Sequence, residues 1–228
     1  MPSSKHVALL LGGCGVYDGS ECTEAVSLIL HLERNGCTFD SFAPNKDMVH
    51  TVNHTTGDAS EDPKRNVMVE SARIVRGKIA DVATFDIEKY DAVLVPGGFG
   101  VMKNLCNYAI VGADKFEVDP DVKKMLSAVL NHPTKVLGVT CIAPMLLPKV
   151  KEAVRLTLGK CSGDNFPYAG TCADASALGA DHVECDNKGI VVDEVNKVVS
   201  SPAFMQDENY YAVYKNIGQL VDEVVKMM

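Results

Sequence analysis

Short β-rich runs that alternate with helix-patterned stretches constrain this chain more than any other feature. The runs HVALLL (6–11), TFDSF (38–42), DAVLV (91–95) and KVLGVT (135–140) are each followed by a segment with helical spacing. Near-continuous apolar strands of this kind are buried on both faces, and the alternation is the signature of a parallel sheet covered by helices on both sides. A fifth run, GIVVDEVNKVVSS, reads as a hairpin over 189–193 and 197–200, because valine-rich halves flank a polar DEVNK turn, and it adds an antiparallel edge. Helices are expected over 20–35, 65–78, 120–131 and 207–226, the last with Asp207 as its N-cap. Residues 45–64 are polar and turn-rich and read as one long loop beside the sheet. The expected fold is a single α/β domain spanning 1–228.

Composition narrows the class of partner. With 228 residues, 46% of them hydrophobic, the chain can bury one sizeable core without metals or disulfides. Thirty acidic against 22 basic residues give a net charge of −8, which argues against a nucleic-acid or anionic-membrane surface. The eight cysteines have irregular spacing and include no C-x-x-C pair, so a reducing compartment, the cytoplasm first, is expected. The first apolar run is too short for a signal peptide or membrane span. A mitochondrial address would require a transit peptide lying outside this numbering.

Chemistry points to one corner. In VLGVTCIAPML (136–146) an apolar strand stops at Cys141 and a differently patterned apolar segment begins. Loops beyond the carboxyl ends of parallel strands are where catalytic groups gather. Gly138 and Ala143 are small, as a tight strand-to-helix turn requires, and Pro144 suits a first helical turn. A thiol at a helix N-terminus is expected to have a depressed pKa and to be the most reactive of the eight. A small buried hydrophobe is the alternative reading of such a cysteine.

Two glycine loops should face that corner. LLLGGCGVYDGSECTEAV places Gly13 and Cys14 after the first strand, and VLVPGGFGVMKNL ends a second strand in Gly97 and Gly98, whose amides can approach a ligand. Asp18 replaces the third glycine of a dinucleotide fingerprint and no P-loop lysine follows, so neither NAD nor ATP is expected. Glu24, early in the helix after the first loop, is either a solvated carboxylate or a partner for the thiol. Auxiliary candidates are His54 on the long loop, Arg73 on an amphipathic helix whose charged face also carries Glu70, and Cys14, which a disulfide can link to Cys141 if the two are close. His50 and His54 lie in turn-rich sequence rather than on a helix, so no metal site is expected. Tyr210, Tyr211 and Tyr214 read as packing or subunit contact.

The stretches GGCGVYDGSE, NHTTGD, RNVMVESARIVRGKI, VPGGFGVMKNL, GVTCIAPMLLPK and NKVVSSPAFM together resemble the ElbB family, in the PfpI branch of the class I glutamine amidotransferase-like superfamily. The resemblance covers almost the whole chain. It implies a flavodoxin-like three-layer sandwich, a homodimer, Cys141 as nucleophile, Glu24 as its carboxyl partner and an oxyanion pocket from the amides of Gly98 and Ile142. It also implies either a glyoxalase that needs no cofactor, acting on small α-oxoaldehydes, or an amidotransferase-like accessory protein linked to isoprenoid production.

One departure separates these readings. Many superfamily members place a histidine downstream of the nucleophile, whereas here the expected region offers only Cys161, and the next histidine is His182. Glutamine hydrolysis needs a base and a leaving-group acid, so its absence argues against the hydrolase. A reactive cysteine beside a carboxyl fits a glyoxalase, and equally a redox-sensing or binding protein without turnover.

Overall fold

A computed structural model describes residues 5–60 and 62–228; Glu61, inside the expected 45–64 loop, lies outside the described residues. The apolar runs form β1 (His6–Leu10), β2 (Thr38–Ala43), β4 (Ala92–Val95) and β5 (Val136–Thr140), and the hairpin forms β6 (Val191–Asp193) and β7 (Val198–Ser201). A short edge strand, β3 (Ala80–Asp81), was not visible in the sequence pattern. The strands line up in the order β6-β7-β5-β4-β1-β2-β3, parallel throughout except for β6, which runs antiparallel to β7. Every residue of β4 and β5 is buried, as expected for central strands with helices on both faces. At about 1.5–3 kcal/mol for each fully buried Val or Leu, these two strands are a main source of stability.

Four longer helices complete the layers: α1 (Cys22–Arg34), α2 (Pro120–Leu130), α3 (Gly170–Ala177) and α4 (Tyr210–Met227). Helix α2 starts on an Asp119 cap with Pro120 in its first turn and buries Val122, Met125, Leu126 and Val129 along one stripe. Helices α1 and α4 pack together, and Gly218 permits this, since a Cβ there would lie 2.7 Å from His31 Cε1. Gly138 serves packing of the same kind and not the elbow turn: a Cβ on it would lie 2.4 Å from Leu94 and 3.1 Å from Leu220 of α4. The resulting architecture is a flavodoxin-like three-layer sandwich.

Several expectations are corrected. Asn209, not Asp207, caps α4, accepting from the Ala212 amide, while the Asp207 amide donates to Asn165. The helix expected over 65–78 ends at Ser71, with Arg76 (φ 56°) and Gly77 (φ 83°) in left-handed backbone after it. Glu70 is buried and ion-paired with Arg65 and Arg73, not part of a solvated face. The loop 45–64 contains a small hairpin, Thr51–Val52 against Ala59–Ser60. The packing reading of the tyrosine cluster holds for Tyr214, whose ring lies tilted against His31, while Tyr210 and Tyr211 are 70% and 67% exposed.

The two glycine loops pack backbone against backbone above the sheet. A Cβ on Gly100 would sit 1.8 Å from the Gly19 nitrogen, and buried Asn104 clamps the first loop by donating to the carbonyls of Gly12 and Asp18, both at 2.8 Å. Gly100→Ala is therefore expected to destabilise the protein by about 3 kcal/mol or more in urea unfolding. Gly170→Ala, where a Cβ meets open space, should change stability by less than about 1 kcal/mol.

Candidate active site

Cys141 stands at the carboxyl end of β5 with φ 57°, a left-handed conformation that an L residue adopts only when the surroundings hold it there. Its amide donates to the Ser201 carbonyl at 2.9 Å, tying the corner to β7. The segment after it is a 3-10 turn over Ala143–Lys149, interrupted by Pro148, and not an α-helix. A full helix dipole is therefore not available to the thiol, contrary to the sequence expectation. What reaches the sulfur are the amides of Gly98 and Ile142 and the carboxyl of Glu24. Gly97 makes this approach possible: a Cβ there would lie 2.4 Å from Cys141 Cβ and 3.0 Å from Glu24 Oε2.

Glu24 lies in the first turn of α1, whose N-cap Glu21 accepts from the Glu24 amide at 2.7 Å. Its side chain is fully buried. Oε2 accepts from the Gly97 amide (2.8 Å) and Thr140 Oγ1 (2.7 Å), and Oε1 accepts from the Phe204 amide (3.4 Å). Burial, reinforced by the negative charge of Glu21, pushes the carboxyl pKa up to about 7, against the pull of the Thr140 and Gly97 hydrogen bonds. The Cys141 thiol is also pushed up, by burial first and the Glu24 charge second, with the Gly98 and Ile142 amides pulling the other way. The depressed pKa expected from the sequence is thus reversed. Two adjacent buried anions are costly, so Cys141 keeps its proton while Glu24 loses its own as pH rises through about 7.

The other sequence candidates are placed as follows. Gly13 lines the loop, but its amide already donates to Ser71 Oγ at 2.8 Å. His54 packs over Gly15, its Nδ1 on the Val52 carbonyl and its Nε2 accepting from the Tyr17 amide at 3.3 Å, so both nitrogens are committed to buttressing the loop. Arg73 pairs with Glu70 at 2.8 Å and lies within electrostatic reach of Cys14. The sulfur beside Cys14 is that of Cys22, at 3.7 Å, rather than Cys141. Thr140, Phe204 and Tyr168 were not singled out from sequence. Thr140 directly precedes the cysteine and could have been; the Phe204 amide and the Tyr168 phenol, which feels the charges of Cys141 and Tyr17, arrive from distant segments.

A second cluster joins Cys161, Cys172 and His182, whose ligand atoms lie within 4.8 Å of one another. Soft N/S donors of this kind suit zinc or copper(I). However, the Leu158 amide donates to His182 Nε2 at 3.1 Å, which places the ring proton on Nδ1, facing Cys161 Sγ at 3.7 Å. A metal at Nδ1 would need the opposite tautomer, so these residues fit an N–H···S pair better than an ion. A cavity of about 1300 Å³ lies beside β2 and β3 among Phe39, Phe42, Ile79 and Tyr90, and Cys141 is not among its lining residues.

A cysteine at a strained strand end, a buried glutamate and two neighbouring amides thus meet at the carboxyl end of this sheet, and the relatives of the chain are class I glutamine amidotransferase-like proteins. No family model matches the chain. It is 42% identical over 224 residues to human glutamine amidotransferase-like class 1 domain-containing protein 3, mitochondrial, covering 97% of this chain and 83% of the relative. It is likewise 42% identical over 227 residues to the rat ES1 protein homolog, mitochondrial, covering 97% and 84%. The crystal structure of an isoprenoid biosynthesis protein with amidotransferase-like domain from Ehrlichia chaffeensis superposes with a TM-score of 0.87 at 32% identity, covering 98% and 99% of the two chains. Glyoxalase III from Candida albicans shares the fold alone, with a TM-score of 0.62 at 14% identity over 98% of this chain and 97% of that one. The chain belongs to the ES1 family of glutamine amidotransferase-like class 1 domain proteins.

Glu24 should leave a signature in stability. Its pKa is higher folded than unfolded, so the folded state holds the extra proton; stability is complete in acid below the ordinary carboxyl range and declines as pH rises through about 7. The difference in unfolding free energy between wild type and Glu24→Gln should therefore move against wild type by about 3 kcal/mol between pH 4.5 and 8. Chemical denaturation of both proteins across that range measures it, and a constant difference would contradict a buried Glu24 with a raised pKa.

Proposed function

We propose that this ES1-family protein, in its ElbB-type form, is a glyoxalase-type enzyme that converts small α-oxoaldehydes to hydroxy acids without glutathione or another cofactor. The observation that carries this reading is the fully buried Glu24, held by the Gly97 amide and the Thr140 hydroxyl beside Cys141, with its carboxyl pushed up to about 7. A carboxyl tuned to neutrality can both take a proton from a thiol and move one between carbons. Cys141 is the catalytic nucleophile. As its sulfur attacks the aldehyde carbon of methylglyoxal, its proton passes to Glu24 and a hemithioacetal forms. The oxyanion is held by the amides of Gly98 and Ile142, which already converge on the sulfur. Glu24 returns that proton to the oxyanion to complete the hemithioacetal. As a carboxylate again, it takes the proton from the former aldehyde carbon and delivers it to the neighbouring carbonyl carbon through an enediolate. The hydroxyl proton passes from one oxygen to the other, which gives a lactoyl thioester. Water cleaves that thioester to lactate and regenerates the thiol, so that one methylglyoxal and one water give one lactate.

The niche suits a small substrate: Cys141 is 7% exposed. The role sketched for His54 is not needed, since both its nitrogens are bonded within the loop. Because the human and rat relatives are mitochondrial by name, we place the protein in the mitochondrion in preference to the cytoplasm expected from cysteine usage. All eight cysteines are free, which suits a reducing compartment. The isoprenoid-linked accessory role draws support from the description of the Ehrlichia chaffeensis structure.

Incubating metal-stripped protein with methylglyoxal alone, and measuring lactate, tests the reading. Wild type should form lactate, Cys141→Ala none, and Glu24→Gln at least about 100-fold less per unit time. Equal lactate from wild type and Cys141→Ala would overturn it, and ammonia release from glutamine by wild type would favour the amidotransferase-like role.

A further inference from the structure

A second reactive sulfur pair lies outside the Cys141 site. Cys14 Sγ and Cys22 Sγ are 3.7 Å apart, Cys22 exposed and Cys14 half-buried. The separation is fixed by the backbone. The loop folds back on itself through an isolated bridge between Cys14 and Ser20, with the Gly15 amide on the Ser20 carbonyl at 2.9 Å and the Gly19 amide on the Gly15 carbonyl at 2.6 Å. Gly19 permits the closure, since a Cβ there would lie 2.2 Å from the Cys14 nitrogen. Cys22 follows as the first residue of α1. The sulfurs have less than about 2 Å to close to reach the bonding distance of about 2 Å.

We propose that Cys14 and Cys22 form a hydroperoxide-reactive dithiol site, in which Cys14 is oxidised first and Cys22 closes an intramolecular disulfide. This goes beyond the glyoxalase reading and does not depend on it. The sulfur of Cys14 attacks one peroxide oxygen; an S–O bond forms, the O–O bond breaks, and hydroxide leaves, to be protonated to water. The sulfur of Cys22 then attacks the Cys14 sulfenic sulfur, an S–S bond forms, the S–O bond breaks, and the departing hydroxide takes the Cys22 proton. Two thiols and one hydrogen peroxide give one disulfide and two waters.

The electrostatics support this order. The hydrogen bond from Cys22 lowers the Cys14 pKa to about 7, with Arg73 adding to the pull, while burial, Glu70 and Asp18 oppose it. Cys22 is pushed up first because it donates to Cys14, and further by burial and by the charges of Cys14 and Glu21. Oxidation of Cys14 removes its charge and the demand on the Cys22 proton, which eases ionisation of Cys22 for the second step. By contrast, burial and Glu24 hold Cys141 protonated in the resting protein.

Treating the full chain with stoichiometric hydrogen peroxide, blocking the remaining thiols with iodoacetamide and mapping peptides without reductant should yield a Cys14–Cys22 cross-link before any oxygen is added to Cys141. In Cys22→Ser, which keeps a hydroxyl donor, Cys14 should stall as a sulfenic acid and be captured by dimedone. In Cys22→Ala, which removes the donor, alkylation of Cys14 at neutral pH should slow by about tenfold or more. Thermal unfolding of both variants confirms that they fold. Cross-linking of Cys161 to Cys172 ahead of Cys14 to Cys22, linkage of Cys14 to another cysteine, or folded Cys22→Ser with no dimedone on Cys14 would overturn the proposal. None of these outcomes bears on lactate formation, which reads Cys141 separately.

Discussion

A buried carboxyl organises the upper end of this fold. Glu24 connects four segments that are remote in sequence: it sits on α1, accepts from the loop after β4 through Gly97, from the end of β5 through Thr140, and from the residues after β7 through Phe204. Removing a carboxylate from water costs several kcal/mol unless it is neutralised or fully hydrogen-bonded. Here three donors offset that cost in part, and the remainder appears as the raised pKa. The strained backbone of Cys141 belongs to the same economy of constraints. Its φ of 57° is maintained because its amide is anchored on Ser201, its Cβ abuts Gly97, and its sulfur faces Glu24.

How much of this was legible in the sequence depends on whether the signal was local. β1, β4 and β5 were visible because burial on both faces makes a strand apolar at every position, and the hairpin because its turn is polar. The two-residue edge strand β3 was invisible, since Ala80–Asp81 pairs with β2 over only two positions and has no apolar pattern of its own. The helix over 65–78 was overextended because its apolar spacing continues past Ser71, while the left-handed backbone at Arg76 is set by tertiary context. Cys141, Gly97 and Gly98 stood out in the sequence because strand ends and glycine pairs are local marks, and Glu24 was singled out with the help of the family resemblance. The partners of Glu24 were not, because a hydrogen bond between residues 24 and 204 has no local trace.

The misjudged thiol pKa has the same origin. A helix starting at Cys141 would have supplied a dipole, and sequence alone suggested one because Ala143 and Pro144 suit a first turn. The segment becomes a short 3-10 turn instead, with a second proline inside it, and the aligned peptide dipoles do not accumulate. Burial then dominates, and the thiol is protected at rest. Such a sulfur is activated only when its proton has somewhere to go, and the nearest acceptor is the carboxylate of Glu24.

Cys14 and Cys141 are thus shifted in opposite directions by different neighbours. Cys22 is two residues from Glu24 on α1, yet its sulfur faces Cys14, whose thiolate is favoured by the Cys22 donor and by Arg73. Cys141 faces inward to a carboxyl under low dielectric, where charge on one member suppresses charge on the other. An oxidant arriving from solvent therefore meets the Cys14–Cys22 pair before Cys141. In the reaction we propose, a small neutral carbonyl compound carries no charge penalty into the niche and supplies the electrophile that lets the Cys141 proton move to Glu24. Exposure and proton inventory, rather than the cysteine side chain itself, separate oxidation chemistry at one sulfur from addition chemistry at the other.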